Sequence, residues 1–322
     1  MRLQCNLRAL LCALGACVLA PTQGLAQEYP SKPVQIVVPG SPGGANDTLA
    51  RLYISELSKR WKQPITVDNR PGAGGLLAAE VATRAPADGY TLLLHADAVM
   101  AYAFTLKTRF DAEKELIPIA NVANSRQICI TPADSGLRSW TSFVAFSKVN
   151  PGRLNAAFYP NSVHHMQMYR MMKLAGLEVT FVPYNGQPQA MRAILSGEIQ
   201  FACVTPTGVA ELAKGGKIVP LAVTSTDRAR ALPETPTLRE SGFDFEWYQW
   251  FGFFATAGTP APVVARITAD IGAVARIASI QEKIREAGFD PETRTPKESA
   301  AMIRASALLY KKAAQDAGVQ PQ

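Results

Sequence analysis

The sequence predicts an α/β protein with two lobes, and three observations lead to that prediction. Short β-branched strands alternate with amphipathic helices along most of the chain. The alternation starts afresh after two strands, at 117–122 and 127–130, that follow each other without a helix between them. Mostly helical sequence closes the chain. Ligands of open α/β sheets lie beyond the carboxyl ends of the strands, so two facing lobes predict one cleft between them.

Each lobe is predicted from its own series of elements. The first series has strands at 34–38, 65–67 and 90–94, with helices at 45–61 and 75–84 between them. These βαβ units imply a parallel sheet. In the second series, helices at 139–148, 162–175, 187–196 and 207–214 alternate with strands at 155–158, 178–182, 199–204 and 218–223. A strongly aromatic run at 248–256 and three helical stretches follow, the last at 296–317.

We therefore expect lobe 1 to comprise 27–124 with 227–322, and lobe 2 to comprise 125–226. The closing helices return to pack on the first lobe. The chain would cross between the lobes near 121–127 and again near 225–248.

Residues 1–26 are predicted to be a signal peptide. A short basic start precedes an apolar run at 9–20 that is too short to span a bilayer, and small residues precede a cut before Gln27. The box Leu14–Cys17 leaves a second reading open, a lipoprotein signal with anchoring through Cys17. Both readings predict export from the cytoplasm.

Charge and composition exclude some classes of function. The chain has a net charge of +7 from 33 basic and 26 acidic residues, and the basic residues are scattered. Nucleic-acid-binding proteins usually cluster them on one face, so no nucleic acid partner is expected. After the signal segment only Cys129 and Cys203 remain, and they form no C-x-x-C pair. An oxidising compartment permits a disulfide between them; two buried, unbonded cysteines are slightly favoured.

The stretch 34–51 is the most informative part of the sequence. An apolar strand breaks at a Gly- and Pro-rich turn and resumes as a helix, an order that aims backbone N–H groups at an anion. Neither the P-loop nor the dinucleotide pattern of glycines is present. We expect Gly43, Gly44 and Ala45 to cradle a carboxylate, against the alternative of an ordinary βα loop. Asp47 has two readings: an acidic side chain that the helix dipole favours in the first turn, or a residue that fixes the loop or binds a bridging water.

The ordered motifs of the chain resemble those of the Bug-type receptors, the solute-binding proteins of tripartite tricarboxylate transporters. The matching motifs are V-P-G-S-P-G-G-A-N-D-T-L-A-R (38–51), D-N-R-P-G-A-G-G (68–75), A-D-G-Y-T-L-L-L (87–94), P-G-R-L-N (151–155), V-P-Y-N-G (182–186), L-A-V-T-S (221–225) and F-G-F-F-A-T-A-G-T-P (251–260). The resemblance implies a type II periplasmic binding protein, a Venus flytrap with its cleft between the lobes. It also implies a periplasmic monomer that binds a small carboxylate, docks to membrane transporter subunits, and has neither catalysis nor a cofactor.

The candidate site residues follow the resemblance unevenly. Where the family carries small hydroxylated residues after the third strand, this chain has His95, Ala96 and Asp97. In lobe 2 only His165 clearly matches the family motif before the helix, and the acidic position of a later strand is Val204. The full set of expected ligand-binding residues is Gly43, Gly44, Ala45, Asp47, Gly74, His95, Ala96, Asp97, Asn161, Ser162, Val163, His164, Val204 and Thr205.

Asp97 is the most suggestive departure from the family pattern. A carboxylate in an anion cleft repels a carboxylate ligand unless it is paired, so Asp97 suits an ammonium or amide group. The alternative is a helix N-cap for a helix at 97–105. Asn161 and Ser162 are natural N-caps for the next helix, and the adjacent His164 and His165 point about 100° apart, which argues against a metal site.

Three functions remain open from the sequence. The first is a transport receptor and the second is a periplasmic sensor on the same fold. The third, an enzyme, has no support, because the sequence contains no G-x-S-x-G, H-E-x-x-H or Ser-His-Asp order.

Overall fold

The computed structural model describes residues 29–160, 162–184, 186–206, 208–292 and 294–321. The predicted signal segment with Cys17, and the candidate Asn161, lie outside the described residues. The strands are β1 (Val34–Val38), β2 (Ile65–Asn69), β3 (Thr91–Ala96), β4 (Leu116–Arg126), β5 (Ile128–Pro132), β6 (Asn155–Phe158), β7 (Thr180–Pro183), β8 (Ala202–Val204), β9 (Ile218–Val223), β10 (Tyr248–Thr256) and β11 (Asp290–Pro291). The helices are α1 (Ala45–Trp61), α2 (Leu76–Arg84), α3 (Tyr102–Thr105), α4 (Ala112–Glu115), α5 (Trp140–Val149), α6 (Val163–Ala175), α7 (Gln187–Leu195), α8 (Val209–Lys214), α9 (Ala261–Ala275), α10 (Ala278–Glu286) and α11 (Pro296–Asp316).

The first lobe is built on a six-stranded sheet of order β11-β4-β10-β3-β1-β2. β1 is parallel to β2 and β3, but β10 is antiparallel to both β3 and β4. The parallel sheet expected from the βαβ units is confirmed for β1, β2 and β3, and the antiparallel half is formed by strands outside those units. β4 leads out towards the second lobe and β10 leads back, so these two strands must run in opposite directions.

The second lobe has a three-stranded sheet, β8-β5-β9, and a two-stranded parallel sheet, β6-β7. A bridge between Ala156 and Phe201 links the two sheets. β5 is antiparallel to β8 and β9, and it brings Cys129 directly opposite Cys203 with 4.2 Å between their Cα atoms. The two cysteines form a disulfide. The slight preference for unbonded cysteines is thus wrong, because sequence alone did not show that these strands pair in this register.

Two short connections join the lobes, and Thr224 ties them together. Gln127 alone separates β4 from β5, and Trp247 immediately precedes β10. The backbone N–H of Gln127 donates to the Thr224 hydroxyl at 3.0 Å, and the N–H of Trp247 donates to the Thr224 carbonyl at 2.9 Å. Thr224 is fully buried. Both connections are therefore anchored to a single residue at the end of β9.

Helix α1 shows why the local sequence folds as predicted. It begins after Gly44, whose backbone is extended, and it ends where Lys62 adopts a left-handed conformation. Leu49, Tyr53 and Leu57 recur every four residues and are fully buried against the first sheet. The packing of this stripe holds the start of the helix beside the carboxyl end of β1.

Helix α11 packs beside the six-stranded sheet. Thr295 and Glu298 form a capping box at its start. Its buried face includes Ile303 and Tyr310, which pack in one apolar cluster with Trp250 and with residues of α6. The last helix thereby reaches the turn that follows β3. None of the helices in the described part of the chain is long and apolar enough to cross a membrane.

Candidate functional site

Two neighbouring cavities open between the lobes. Their volumes are about 190 Å³ and 280 Å³, and Thr205 and Gln249 line both of them, so they form parts of one cleft. The smaller cavity is lined by Asp97, Ala98, Gln127, Tyr159, Ser162, Val163, His164, Gln187, Thr205, Trp247 and Gln249. The larger is lined by Gly43, Ala45, Thr48, Ser125, Thr205, Pro206, Gln249, Phe251, Ala287, Gly288 and Phe289.

The Gly-rich loop reaches the cleft, but its glycine N–H groups are already bonded. Gly43 donates to Oδ2 of Asp47 at 2.8 Å, and Gly44 donates to the Ser41 carbonyl at 3.1 Å. This corrects the expectation that these two groups hold the carboxylate. The N–H groups of Ala45, Asn46 and Asp47 open α1 and have no acceptor within the helix. Ala45 lines the larger cavity, so of the three expected cradle residues it is the one that offers an anion a free N–H donor.

Asp47 fixes the loop, which was one of the two readings of this residue. Its buried carboxylate accepts hydrogen bonds from Gly43, from Arg51 at 2.9 Å and from the Asn69 amide at 3.2 Å. The Arg51 guanidinium is the main reason that the pKa of Asp47 lies below its usual value, followed by the Gly43 and Asn69 bonds. Asp47 does not line either cavity.

Three further candidates, Gly74, His95 and Ala96, do not line the two cavities. His95 is buried, and its ring nitrogens contact the Ala96 carbonyl at 2.8 Å and the Tyr102 hydroxyl at 3.0 Å. Burial lowers the pKa of His95 to about 4, so the ring is neutral near pH 7. The Gly74 carbonyl accepts from Tyr102 at 2.8 Å. The structure places neither Gly74, His95 nor Ala96 on a cavity wall, contrary to the sequence expectation.

Helix α6 supplies the wall of the second lobe. The Ser162 side chain caps the helix by accepting from the N–H of His165 at 3.2 Å. Ser162, Val163 and His164 all line the smaller cavity, so the start of this 13-residue helix faces the cleft. Three of the four candidates in this segment are thus brought to the site, and the fourth, Asn161, lies outside the described residues.

Asp97 lines the smaller cavity and is completely buried. It does not cap a helix: it opens a 3-10 turn, Asp97–Met100, and its Oδ2 accepts from the Tyr310 hydroxyl at 2.6 Å. The capping alternative is therefore wrong. Burial raises the pKa of Asp97 to about 7, although hydrogen bonds from Tyr310, Gln249 and the Ala98 N–H oppose that shift.

Val204 and Thr205 are neighbours with different roles. Val204 is fully buried in the core of the second lobe, packed with Ile128 and Val223, and does not reach the cleft. Thr205 lines both cavities, and its N–H and hydroxyl each lie 2.9 Å from Oε1 of Gln187. Of this pair only Thr205 is brought to the site.

The sequence did not show which residues in and beside the aromatic segment line the cleft. Trp247 and Gln249 line the smaller cavity, whereas Trp250 is buried against Ser306 of α11. Side chains alternate along a strand, so a shift of one residue exchanges the faces. Tyr159, which stacks on the ring of His164 with 4.0 Å between centroids, was also missed.

The described residues that line the two cavities are polar or apolar and include no cationic side chain. In the described part of the chain, no Lys or Arg lines either cavity. In that same part of the chain, no three His, Cys, Asp or Glu residues lie close enough to hold a metal ion. An anion in this cleft would meet helix N-termini and neutral hydrogen-bond donors.

Comparison with known proteins identifies the family. A model described as "Tripartite tricarboxylate transporter family receptor" matches residues 49–317. The chain belongs to this receptor family. The resemblance to Bug-type receptors inferred from the motifs is thus confirmed, and so is the two-lobed periplasmic binding fold.

Individual relatives of the receptor point the same way. The present chain is 28% identical over 308 residues to protein BugT of Bordetella pertussis, and the match covers 92% of this chain and 94% of BugT. R. palustris Rpa4515, solved with adipate, superposes with a TM-score of 0.75 at 27% identity, covering 92% of this chain and 100% of that one. MatC of Rhodopseudomonas palustris, solved with bound malate, gives a TM-score of 0.70 at 26% identity over 89% of this chain and 100% of MatC.

Proposed function

We propose that this receptor captures a small carboxylate-containing solute in the periplasm. It would deliver the solute to the membrane subunits of a tripartite tricarboxylate-type transporter, as a monomer that binds its ligand without transforming it. The family match and the two relatives solved with dicarboxylates, adipate and malate, support this proposal.

The observation that carries the proposal is that two helices from opposite lobes begin at the same cleft. α1 presents Ala45 at the larger cavity, and α6 presents Val163 and His164 at the smaller one. A helix N-terminus favours an anion through its unpaired N–H groups and its dipole. A carboxylate can therefore be held without a Lys or Arg side chain, and a solute that reaches both helices would draw the lobes together.

The proposed contacts come from a subset of the candidate residues. Ala45 and Asp97 would contact the solute from lobe 1, and Ser162, Val163, His164 and Thr205 from lobe 2. Gly43, Gly44 and Asp47 would shape the loop that presents Ala45.

We further propose that the second lobe extends beyond residue 226, to Trp247. Leu238, Phe245 and Trp247 pack in the same apolar cluster as Phe143 and Phe201 of that lobe. The return crossing would then lie between Trp247 and Tyr248.

A ligand screen tests the proposed function. The purified receptor is melted in the presence of mono-, di- and tricarboxylates, aromatic acids and amino acids, and calorimetry measures the affinity of each solute that stabilises it. At least one carboxylate should raise the melting temperature, because a ligand that binds only the folded state stabilises it. If none binds, the proposed function is wrong.

A matched pair of proline substitutions tests the role of α1. Ala45→Pro removes one N–H donor at the first helical position, where proline is well tolerated. Hydrogen bonds to charged groups contribute about 1.5–3 kcal/mol, so the affinity for the carboxylate should fall about 10-fold or more. Ala278→Pro, at the first position of α10 and away from both cavities, is the control and should bind normally. Equal affinity of both variants would exclude the α1 terminus from the site.

A further inference from the structure

Three residues that line the smaller cavity, Asp97, Tyr159 and His164, have a buried polar atom with no hydrogen-bond partner in the described part of the chain. The Tyr159 hydroxyl can donate as well as accept, whereas the other two atoms are acceptors. Oδ1 of Asp97 and Nδ1 of His164 are inaccessible to solvent and make no hydrogen bond within the described residues. Both side chains line the cavity. Buried polar atoms are almost always paired in folded proteins, so unpaired acceptors that both lobes contribute to one cavity point to donors supplied by a ligand.

The hydrogen bonding of His164 shows that Nδ1 is an acceptor. Nε2 lies 2.9 Å from the Cys203 carbonyl, which only accepts, so Nε2 carries the proton. Burial lowers the pKa of His164 to about 4, and the ring is therefore neutral near pH 7. A neutral imidazole protonated at Nε2 presents a lone pair at Nδ1.

Asp97 is held in place but its charge is not compensated. Tyr310 donates to Oδ2 at 2.6 Å, and the further partners of the carboxylate, the Gln249 side chain and the Ala98 N–H, are neutral too. Neither cavity is lined by Lys or Arg in the described part of the chain. A buried carboxylate without a counter-charge is strongly disfavoured, so it retains a proton or it meets a cation that arrives with the ligand.

We propose that the solute carries a primary ammonium group beside its carboxylate, and that Asp97 and His164 receive this ammonium. An ammonium has three N–H donors, of which Oδ1 of Asp97 and Nδ1 of His164 take two. The nearby Gln249 amide oxygen is suited to the third, since its side chain lines the same cavity. The carboxylate of the solute lies at the helix N-termini. This proposal rests on the proposed function and narrows its ligand to amino-acid-like carboxylates.

A carboxylate without an amine brings no ammonium donors to Asp97 and His164. Where Asp97 is ionised, a second carboxylate placed against Asp97 and His164 brings acceptors to acceptors and a negative charge to a negative charge.

The test compares probes that differ only by the amine. Calorimetry at pH 8 measures the dissociation constants of three matched pairs: aspartate and succinate, glutamate and glutarate, and phenylalanine and 3-phenylpropionate. In the pair that fits the cleft, the aminated probe should bind about 10- to 150-fold more tightly, the range expected for a hydrogen bond to a charged group. Asp97→Asn should reduce this preference to within about 3-fold.

Two further variants complete the test. Asp270→Asn alters another buried aspartate, which bonds to Trp61 and Arg266 in lobe 1 outside both cavities, and it should leave the preference unchanged. Should Asp97→Asn fail to fold, Tyr310→Phe removes the hydroxyl that orients Asp97 and should also reduce the preference.

The possible outcomes separate this inference from the proposed function. Tight binding of carboxylates with no advantage for the aminated member of any pair would overturn the inference and leave the receptor function intact. An advantage that persists unchanged in Asp97→Asn would also overturn it. Binding of no carboxylate, with or without an amine, would instead contradict the proposed function.

Discussion

Three buried titratable residues near the cleft act on stability in opposite directions as the pH changes. The folded-state pKa of Asp97 is raised from 3.8 to about 7, so the stability that comes from its neutral form is complete below 3.8 and is lost as the pH rises through about 7. His95 and His164 have pKa values lowered from 6.5 to about 4. Their contribution is present above 6.5 and is lost as the pH falls through about 4.

Asp97→Asn should therefore stabilise the receptor increasingly as the pH rises. Asparagine retains an oxygen that accepts from Tyr310 but never ionises. Relative to the unchanged protein, its free energy of unfolding should grow between about pH 4 and pH 8, by at most about 4 kcal/mol. Urea unfolding at pH 5, 6, 7 and 8 measures the difference. A difference that stays constant with pH would show that Asp97 does not titrate in this range.

At the scale of the elements, the disulfide joins β5 to β8, the strand that leads into the cleft residue Thr205. Cys129 lies on β5 and Cys203 on β8, one residue before Val204 and two before the cleft residue Thr205. The bond closes a loop with a sequence separation of 74 residues. A crosslink across so long a loop restricts the unfolded chain substantially.

Replacing both cysteines should cost stability more than affinity. The Cys129→Ala, Cys203→Ala double variant is expected to lose about 2–5 kcal/mol of unfolding free energy. Chemical denaturation with and without reductant provides the measurement, and the double variant serves as its own control because reductant has no bond to break in it. If reductant leaves the melting temperature of the unchanged receptor where it was, the disulfide does not contribute in solution.

Helices and strands could be predicted from the sequence where one face of the element is apolar and the other is polar. The buried stripe of α1 and the flanking Gly44 located that helix, and the Ser162 cap located α6. The orientation of β10 could not be obtained in this way, because from Trp250 to Thr256 both faces of the strand are buried and the residues are mostly aromatic or apolar. Alternation carries no signal there, so Trp247 and Gln249 were missed. The two-residue strand β11 is too short to leave any pattern.

For the whole molecule, the lobes meet on both sides of the cleft. On one side Val163 and Met166 of α6 share an apolar cluster with Tyr310 of α11, and Lys173 pairs with Asp316 at 3.2 Å. On the other side, Arg126 at the crossing pairs with Asp290 and donates to the Arg228 carbonyl at 2.7 Å. The connections near Thr224 are short, so relative motion of the lobes is confined to a few backbone positions.

Small-angle scattering should detect closure of the lobes on the solute. The proposed contacts come from both lobes, so the radius of gyration should decrease when a ligand found in the screen reaches saturation. The molecular mass from the same data should remain that of one chain. An unchanged radius at saturating ligand would indicate a rigid cleft, and a doubled mass would contradict the monomer.

The bond between Asp97 and Tyr310 joins positions 213 residues apart. One lies just after β3 and the other in the last helix, yet each satisfies a need of the other: the acid requires a donor, and the buried hydroxyl requires an acceptor. Substitutions at the two positions should therefore be correlated among related receptors. Among receptors of this family, those with a small hydroxylated residue at position 97 would have no reason to keep tyrosine at position 310, whereas those with an acid at 97 should retain it. A joint substitution pattern at the two positions would then mark, in sequence data alone, the members whose cleft receives an ammonium group.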